Sequence, residues 1–174
     1  GFDNTIKFVN LIDKDIFVFK QRDKSRINCL IKMNQMNIVT GSDDGKITIW
    51  NLINDTYKVF NEHTNVVYCL CKLNNKKFAS GSWDNTVRIW NIFGECIQVL
   101  NDHTYNVLCV IKLNRDLIAS AGWDGYIILT HLKNNIKKYL EVNSTINILC
   151  KLDKEKLLSI DSENTLMIWN YKTF

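Results

Sequence analysis

Apolar and polar residues alternate in short runs along the 174-residue chain, with a spacing of two rather than of a helical turn. In one stretch, Val67–Lys72 (VYCLCK), 78–81 (FASG), 86–90 (TVRIW) and Cys96–Leu100 (CIQVL) follow one another, each rich in Val, Ile, Phe, Trp or Cys. That length and composition are those of half-buried strands. No segment sustains a 3.6-residue apolar period, so the pattern predicts almost no helix. The second and third strands of each group are joined by Asp44-Gly45, Asp84-Asn85, Asp124-Gly125 or Glu163-Asn164. Asp-Gly and its relatives favour a tight hairpin with a positive φ.

The groups repeat. KITIW, TVRIW and TLMIW end at Trp50, Trp90 and Trp169, with YIILT ending at Thr130 between the last two, in steps of 40, 40 and 39 residues. Asp44, Asp84, Asp124 and Glu163 keep the same steps, as do Lys32, Lys72, Lys112 and Lys151, and Cys29, Cys69 and Cys109 share one repeat position. A period of about 40 residues with four strands per unit is the sequence signature of propeller blades.

The phrases GSWDNTVRIW (81–90), EHTNVVYCL (62–70) and DHTYNVLCV (102–110) resemble the WD-repeat β-propeller family over nearly the whole chain. The first unit has Asp23 where the family has its loop histidine, and the fourth lacks that histidine and has Glu163 in place of Asp. The resemblance implies an all-β propeller of four-stranded antiparallel blades. It also implies a structural tetrad of His63, Ser80, Asp84 and Trp90 in the second unit, kept as His103, Ser120 and Asp124 in the third, where Thr130 replaces Trp. The chemistry suits a structural role: an indole N–H donates to a serine hydroxyl, the hydroxyl to one histidine nitrogen, and the other nitrogen to a carboxylate. Ser, His and Asp also spell a hydrolase triad. Against that, the indole takes the hydroxyl's acceptor side and the same columns vary between units, so no catalytic residue is expected.

In this family the residue before the turn Asp lies on the face lined by the loops joining consecutive blades. That column reads Asp43, Trp83, Trp123 and Ser162 here, and the loops add Asn65, Val66, Tyr105 and Asn106. Trp83, Tyr105 and Trp123 would form an aromatic patch of the kind that anchors interfaces. The expected function is a non-enzymatic scaffold binding a protein or peptide on that face. The phrase SGSWDNTVRIW is also similar to those of ubiquitin-related adaptor propellers: F-box-type substrate receptors, and the phospholipase-A2-activating-protein family, whose propeller binds ubiquitin.

Composition changes this little. Apolar residues make up 46% and charged residues 23%, ordinary for a globular chain. Proline is absent and there are 22 asparagines, a compositional background rather than a functional signal. The net charge of +4 permits an RNA or ribosome-assembly role without favouring it. Lys20, Arg22, Lys24 and Arg26 form one basic cluster, with Asp23 interleaved, and Lys133, Lys137 and Lys138 another. No apolar run reaches the ~18 residues of a membrane span. The six cysteines form no CxxC pair, and with His63 and His103 assigned to the tetrad and His131 at a strand end, no metal or other cofactor is expected. Buried free thiols at 29, 69 and 109 point to a reducing compartment, cytoplasm or nucleus.

By this arithmetic, 1–22 is a partial blade, 23–60, 61–100 and 101–140 are full blades, and 141–174 lacks its last strand. About four and a quarter units do not close neatly on themselves, so the expectation is part of a larger, seven-bladed propeller.

Overall fold

The computed structural model describes residues 5–9, 16–20 and 25–172. Every regular element among them is a strand. The first pair, β1 (Thr5–Val9) and β2 (Ile16–Lys20), forms an antiparallel hairpin. Three four-stranded antiparallel meanders follow. Blade 1 holds β3 (Ile27–Lys32), β4 (Asn37–Ser42), β5 (Ile47–Asn51) and β6 (Thr56–Phe60). Blade 2 holds β7 (Val67–Lys72), β8 (Lys77–Ser82), β9 (Val87–Asn91) and β10 (Cys96–Leu100). Blade 3 holds β11 (Val107–Lys112), β12 (Leu117–Gly122), β13 (Tyr126–His131) and β14 (Lys137–Glu141). Blade 4 has three strands, β15 (Ile146–Lys151), β16 (Lys156–Asp161) and β17 (Leu166–Asn170).

The hydrophobic cores lie between blades. One joins Met33, Val39, Ile47 and Ile49 of blade 1 to Val67, Phe78 and Trp90 of blade 2. The next joins Ala79, Val87 and Ile89 to Val107, Val110 and Ile118. A third joins Leu117, Ala119, Ile127 and Leu129 to Ile146, Leu149 and Leu157. Each sheet buries its faces against its neighbours, so stability resides in nearest-neighbour seams, as in other stacked-repeat proteins.

Both ends of each blade are locked by repeated backbone bonds. At one end the loop entering the first strand accepts from the turn between the second and third: Asp43 N donates to Arg26 O, Trp83 N to Val66 O, Trp123 N to Asn106 O and Ser162 N to Thr145 O. At the other end, Leu52 N donates to Met36 O, Ile92 N to Lys76 O, Leu132 N to Asp116 O and Tyr171 N to Glu155 O. Chain connectivity therefore fixes two opposite loop faces.

Candidate functional site

The turns between the second and third strands are three-residue loops. Asn85 N donates to Ser82 O and Ser82 N to Thr86 O, both at 3.2 Å. The last loop residue is left-handed in every blade: Gly45 (φ 79°), Asn85 (φ 69°), Gly125 (φ 75°) and Asn164 (φ 63°). A turn followed by one left-handed residue is a common hairpin closure, and Gly and Asn enter that region most readily.

The turn carboxylate is then aimed back at the blade. In blade 2, His63 Nδ1 lies 2.7 Å from Asp84 Oδ2 and His63 Nε2 lies 2.7 Å from Ser80 Oγ, while Trp90 Nε1 donates to Ser80 Oγ at 2.8 Å. Asp84 also accepts from Thr64 N, Thr86 N and Thr86 Oγ1. In blade 3, His103 bridges Asp124 at 2.7 Å and Ser120 at 2.8 Å, with no indole to extend the chain. Blade 1 keeps only the far end: Trp50 Nε1 donates to Thr40 Oγ1 at 3.0 Å, and Asp44 accepts from Ser42 Oγ and pairs with Lys46. Blade 4 keeps the Trp169–Ser159 bond at 2.9 Å.

Glu163 does not take the turn carboxylate's place in blade 4. Asp161, two residues earlier, does: its Oδ1 accepts from Glu163 N at 3.0 Å and Thr165 N at 2.8 Å. In blade 2 the corresponding amides have separate acceptors, Asp84 N donating to Ser82 Oγ and Thr86 N to Asp84 Oδ1, so Asp161 stands at the Ser82 position and also takes the amide that Asp84 accepts there.

Ser80 is fully buried. Its oxygen accepts from the Trp90 indole and lies 2.7 Å from His63 Nε2. The constellation is a strut across loop, turn and two strands.

Burial alone would raise the pKa of Asp84, but hydrogen bonds from His63 and Thr86 more than offset this and hold its carboxyl well below the usual range. Asp124 is lowered against the same opposing burial, by His103 and by the Tyr126 and Thr104 amides. A carboxylate depressed in the folded state contributes stability that is present above its unfolded pKa, ~4, and is lost as pH falls through the folded value. Melting temperature should therefore drop steeply below about pH 4. Asp84→Asn should be less stable than the parent at pH 7 but show a flatter acid limb, read by thermal melts from pH 7 to pH 2.

On the loop face, Tyr68 stacks on Trp83 with ring centroids 6.0 Å apart, and Trp83 meets Trp123 at 6.1 Å. Trp123 is 51% exposed, Tyr68 43% and Tyr105 61%. Trp83 is half-buried between its two partners, its indole N–H buried without a hydrogen-bond partner among the described residues. Tyr68 is a member of this aromatic cluster that period-two reading does not reveal. The register of β7 against β8 shifts between Val67 and Cys69, so Tyr68 sits in a bulge. A bulge re-aims the side chain it carries. The same shift recurs at Asn28, Leu108 and Asn147. Asn28 donates to exposed Asp43 at 2.6 Å, so Asp43 lies at the patch edge with a partner already in place. Asn65 and Asn106 act mainly through backbone: Asn65 O accepts from Ser82 Oγ, and Asn106 O from Trp123 N. Val66 is half-buried beneath Trp83, whose N–H it accepts.

The second basic cluster is largely neutralised: Lys133 pairs with Asp116 at 2.9 Å and Lys137 with Asp102 at 2.5 Å. Of the first cluster, Arg22, Asp23 and Lys24 lie outside the described residues, as does the side chain of Lys20. Cys29, Cys69 and Cys109 are half-buried free thiols. The Cys29 and Cys109 thiols are oriented to Val67 O and Leu149 O of the following blade. Burial pushes Cys29 up to about 12 and Cys71 up to about 11, so these thiols stay protonated and unreactive at neutral pH.

No curated protein sequence matches the chain. A chain in the crystal structure of the mitotic checkpoint complex superposes with a TM-score of 0.86 at 16% identity, covering 98% of this chain and 56% of that one. This chain thus spans little more than half the length of that structural neighbour. The family model described as WD domain, G-beta repeat matches residues 14–51, 54–91 and 94–130. With that match over most of its length and sheets arranged as blades, the chain belongs to the WD40 repeat family of β-propellers.

Proposed function

We propose that this chain is a non-enzymatic scaffold that binds a protein or peptide through the aromatic cluster of Tyr68, Trp83 and Trp123, with Tyr105 beside it. The WD40 propeller is in general a protein-interaction scaffold, and the observation that carries the specific reading is the stacked cluster left open on one loop face. Aromatic side chains grouped at a surface dominate binding energy where they anchor a partner. The free thiols fit a reducing compartment such as cytoplasm or nucleus.

Trp123→Ala should weaken a peptide selected by display on the parent chain by roughly 30-fold or more, with melting temperature nearly unchanged because half of Trp123 is already in water. Trp83→Ala should lower both, since Trp83 packs between two rings. Unchanged affinity in Trp123→Ala would sink the assignment. Titration of ubiquitin against the labelled chain, followed by NMR, decides whether the resemblance of the second blade to ubiquitin-related adaptors extends to its ligand. RNA binding with a steep salt slope would favour a ribosome-assembly role instead.

A further inference from the structure

The lysine that closes each first strand recurs at Lys32, Lys72, Lys112 and Lys151. At two seams it has a fixed use. Lys112 Nζ donates to Leu73 O in the preceding blade, and Lys151 Nζ donates to Leu113 O in the blade before it. At the seam between blades 1 and 2 the device is missing. Lys72 is exposed and makes no side-chain hydrogen bond or ion pair among the described residues, and the same holds for Lys32 and Lys76.

These three ammonium groups line an open groove of about 1090 Å³ on the face opposite the aromatic cluster. Met36 (49% exposed) and Ile53 (70% exposed) stand in its wall with Ile92. No carboxylate lines it among the described residues. The corresponding turns of the next two blades do carry acids: Asp116 pairs with Lys133, and Glu155 with Lys172. Three cations with no acidic partner among the described residues create a positive field on one groove that favours an anionic partner. Exposed aliphatic side chains beside them gain by burial under apolar groups of that partner.

We propose that this groove docks an acidic amphipathic segment of a partner protein, its carboxylates meeting Lys32, Lys72 and Lys76 and its apolar residues covering Met36 and Ile53. A single-stranded nucleic acid is less well served, because no aromatic residue lines the groove to stack a base. The surface is separate from the aromatic face, so its failure and that of the scaffold reading are distinguishable.

The test is fluorescence anisotropy with a short labelled peptide alternating glutamate and leucine, against the same peptide with glutamine for glutamate. The glutamate peptide should bind more tightly. Lys72→Glu should weaken it about tenfold or more, Ile53→Ser should weaken it several-fold at constant salt, and Trp123→Ala should leave it unchanged. Lys72 and Ile53 are exposed, so unchanged melting curves should accompany both variants. Equal binding of the two peptides, or indifference to Lys72→Glu, overturns the proposal. Loss of binding with Lys72→Glu but not with Ile53→Ser, with oligouridine competing as well as the peptide, reassigns the groove to nucleic acid.

Discussion

Trp90→Ala should lower the melting temperature by roughly 8–16 °C, from a loss of about 4 kcal/mol at 2–4 °C per kcal/mol for a chain of this size. Two separable effects combine there. The indole is fully buried, stacks on Phe78 at 6.2 Å and packs against Val39, Ile47 and Ile49 of blade 1, so its removal opens a cavity in the seam between two blades. It also supplies the donor that ends the hydrogen-bonded strut at Ser80. Trp90→Phe keeps most of the volume and removes only the donor, and should cost about 1–2 kcal/mol. Ser80→Ala should cost more than Trp90→Phe, because it strands both the Trp90 N–H and a His63 nitrogen in a buried site. Trp169→Ala is the comparison: that indole is half-buried and its serine has no histidine behind it, so its loss should be roughly half as large. Thermal melts of the four variants rank these contributions, and a Trp169→Ala loss equal to that of Trp90→Ala would refute the seam argument.

The period of 40 and the turn dipeptides made blades and strand order legible, because both are local: each strand alternates, and each left-handed turn position needs Gly or Asn; the loop face came from the family resemblance. The spacing of His63, Ser80, Asp84 and Trp90 was equally readable, since the repeat sets it. What escaped the sequence depends on side-chain reach and register. Tyr68 joins the aromatic cluster only because a bulge turns it outward, and a bulge leaves no mark in a six-residue alternating strand. Asp161 serves blade 4 from the repeat position that Ser82 holds in blade 2, a use that depends on the reach of its carboxylate to two turn amides. Trp83 and Trp123 share a column, yet one is clamped between rings and the other half in water, a difference set by neighbours from other strands. The lysine column was visible as repetition, but its use as a cap on the preceding blade, and the absence of that use at Lys72, needed the seams in three dimensions.

Gly81→Val should destabilise the chain by about 3 kcal/mol, through overpacking rather than through lost contacts. Gly81 lies in β8 opposite Cys69, and a Cβ there would stand 2.6 Å from Cys69 Sγ and 2.7 Å from Val107 Cγ1 of the next blade. The same repeat position holds Gly41, whose added Cβ would stand 2.4 Å from Val67 Cγ1. In blade 3 it holds Ala121, which packs in the core shared with Ile146. A small residue in one blade thus receives the branched first residue of the following blade's inner strand, and Val67, Val107 and Ile146 are all fully buried. Because Ala121 is accommodated one seam along, Gly81→Ala should cost only about 1 kcal/mol, the smaller of the two overpacking effects. Gly81→Val places two branched side chains in the same space and should be partly rescued by Val107→Ala, with a coupling of about 1–2 kcal/mol in the double-mutant cycle. Hydrogen exchange locates the damage: β7, β8 and β11 should lose protection before β15 and β16, as nearest-neighbour coupling between blades requires. Uniform loss across all four blades, or no rescue by Val107→Ala, would place the strain somewhere other than this seam.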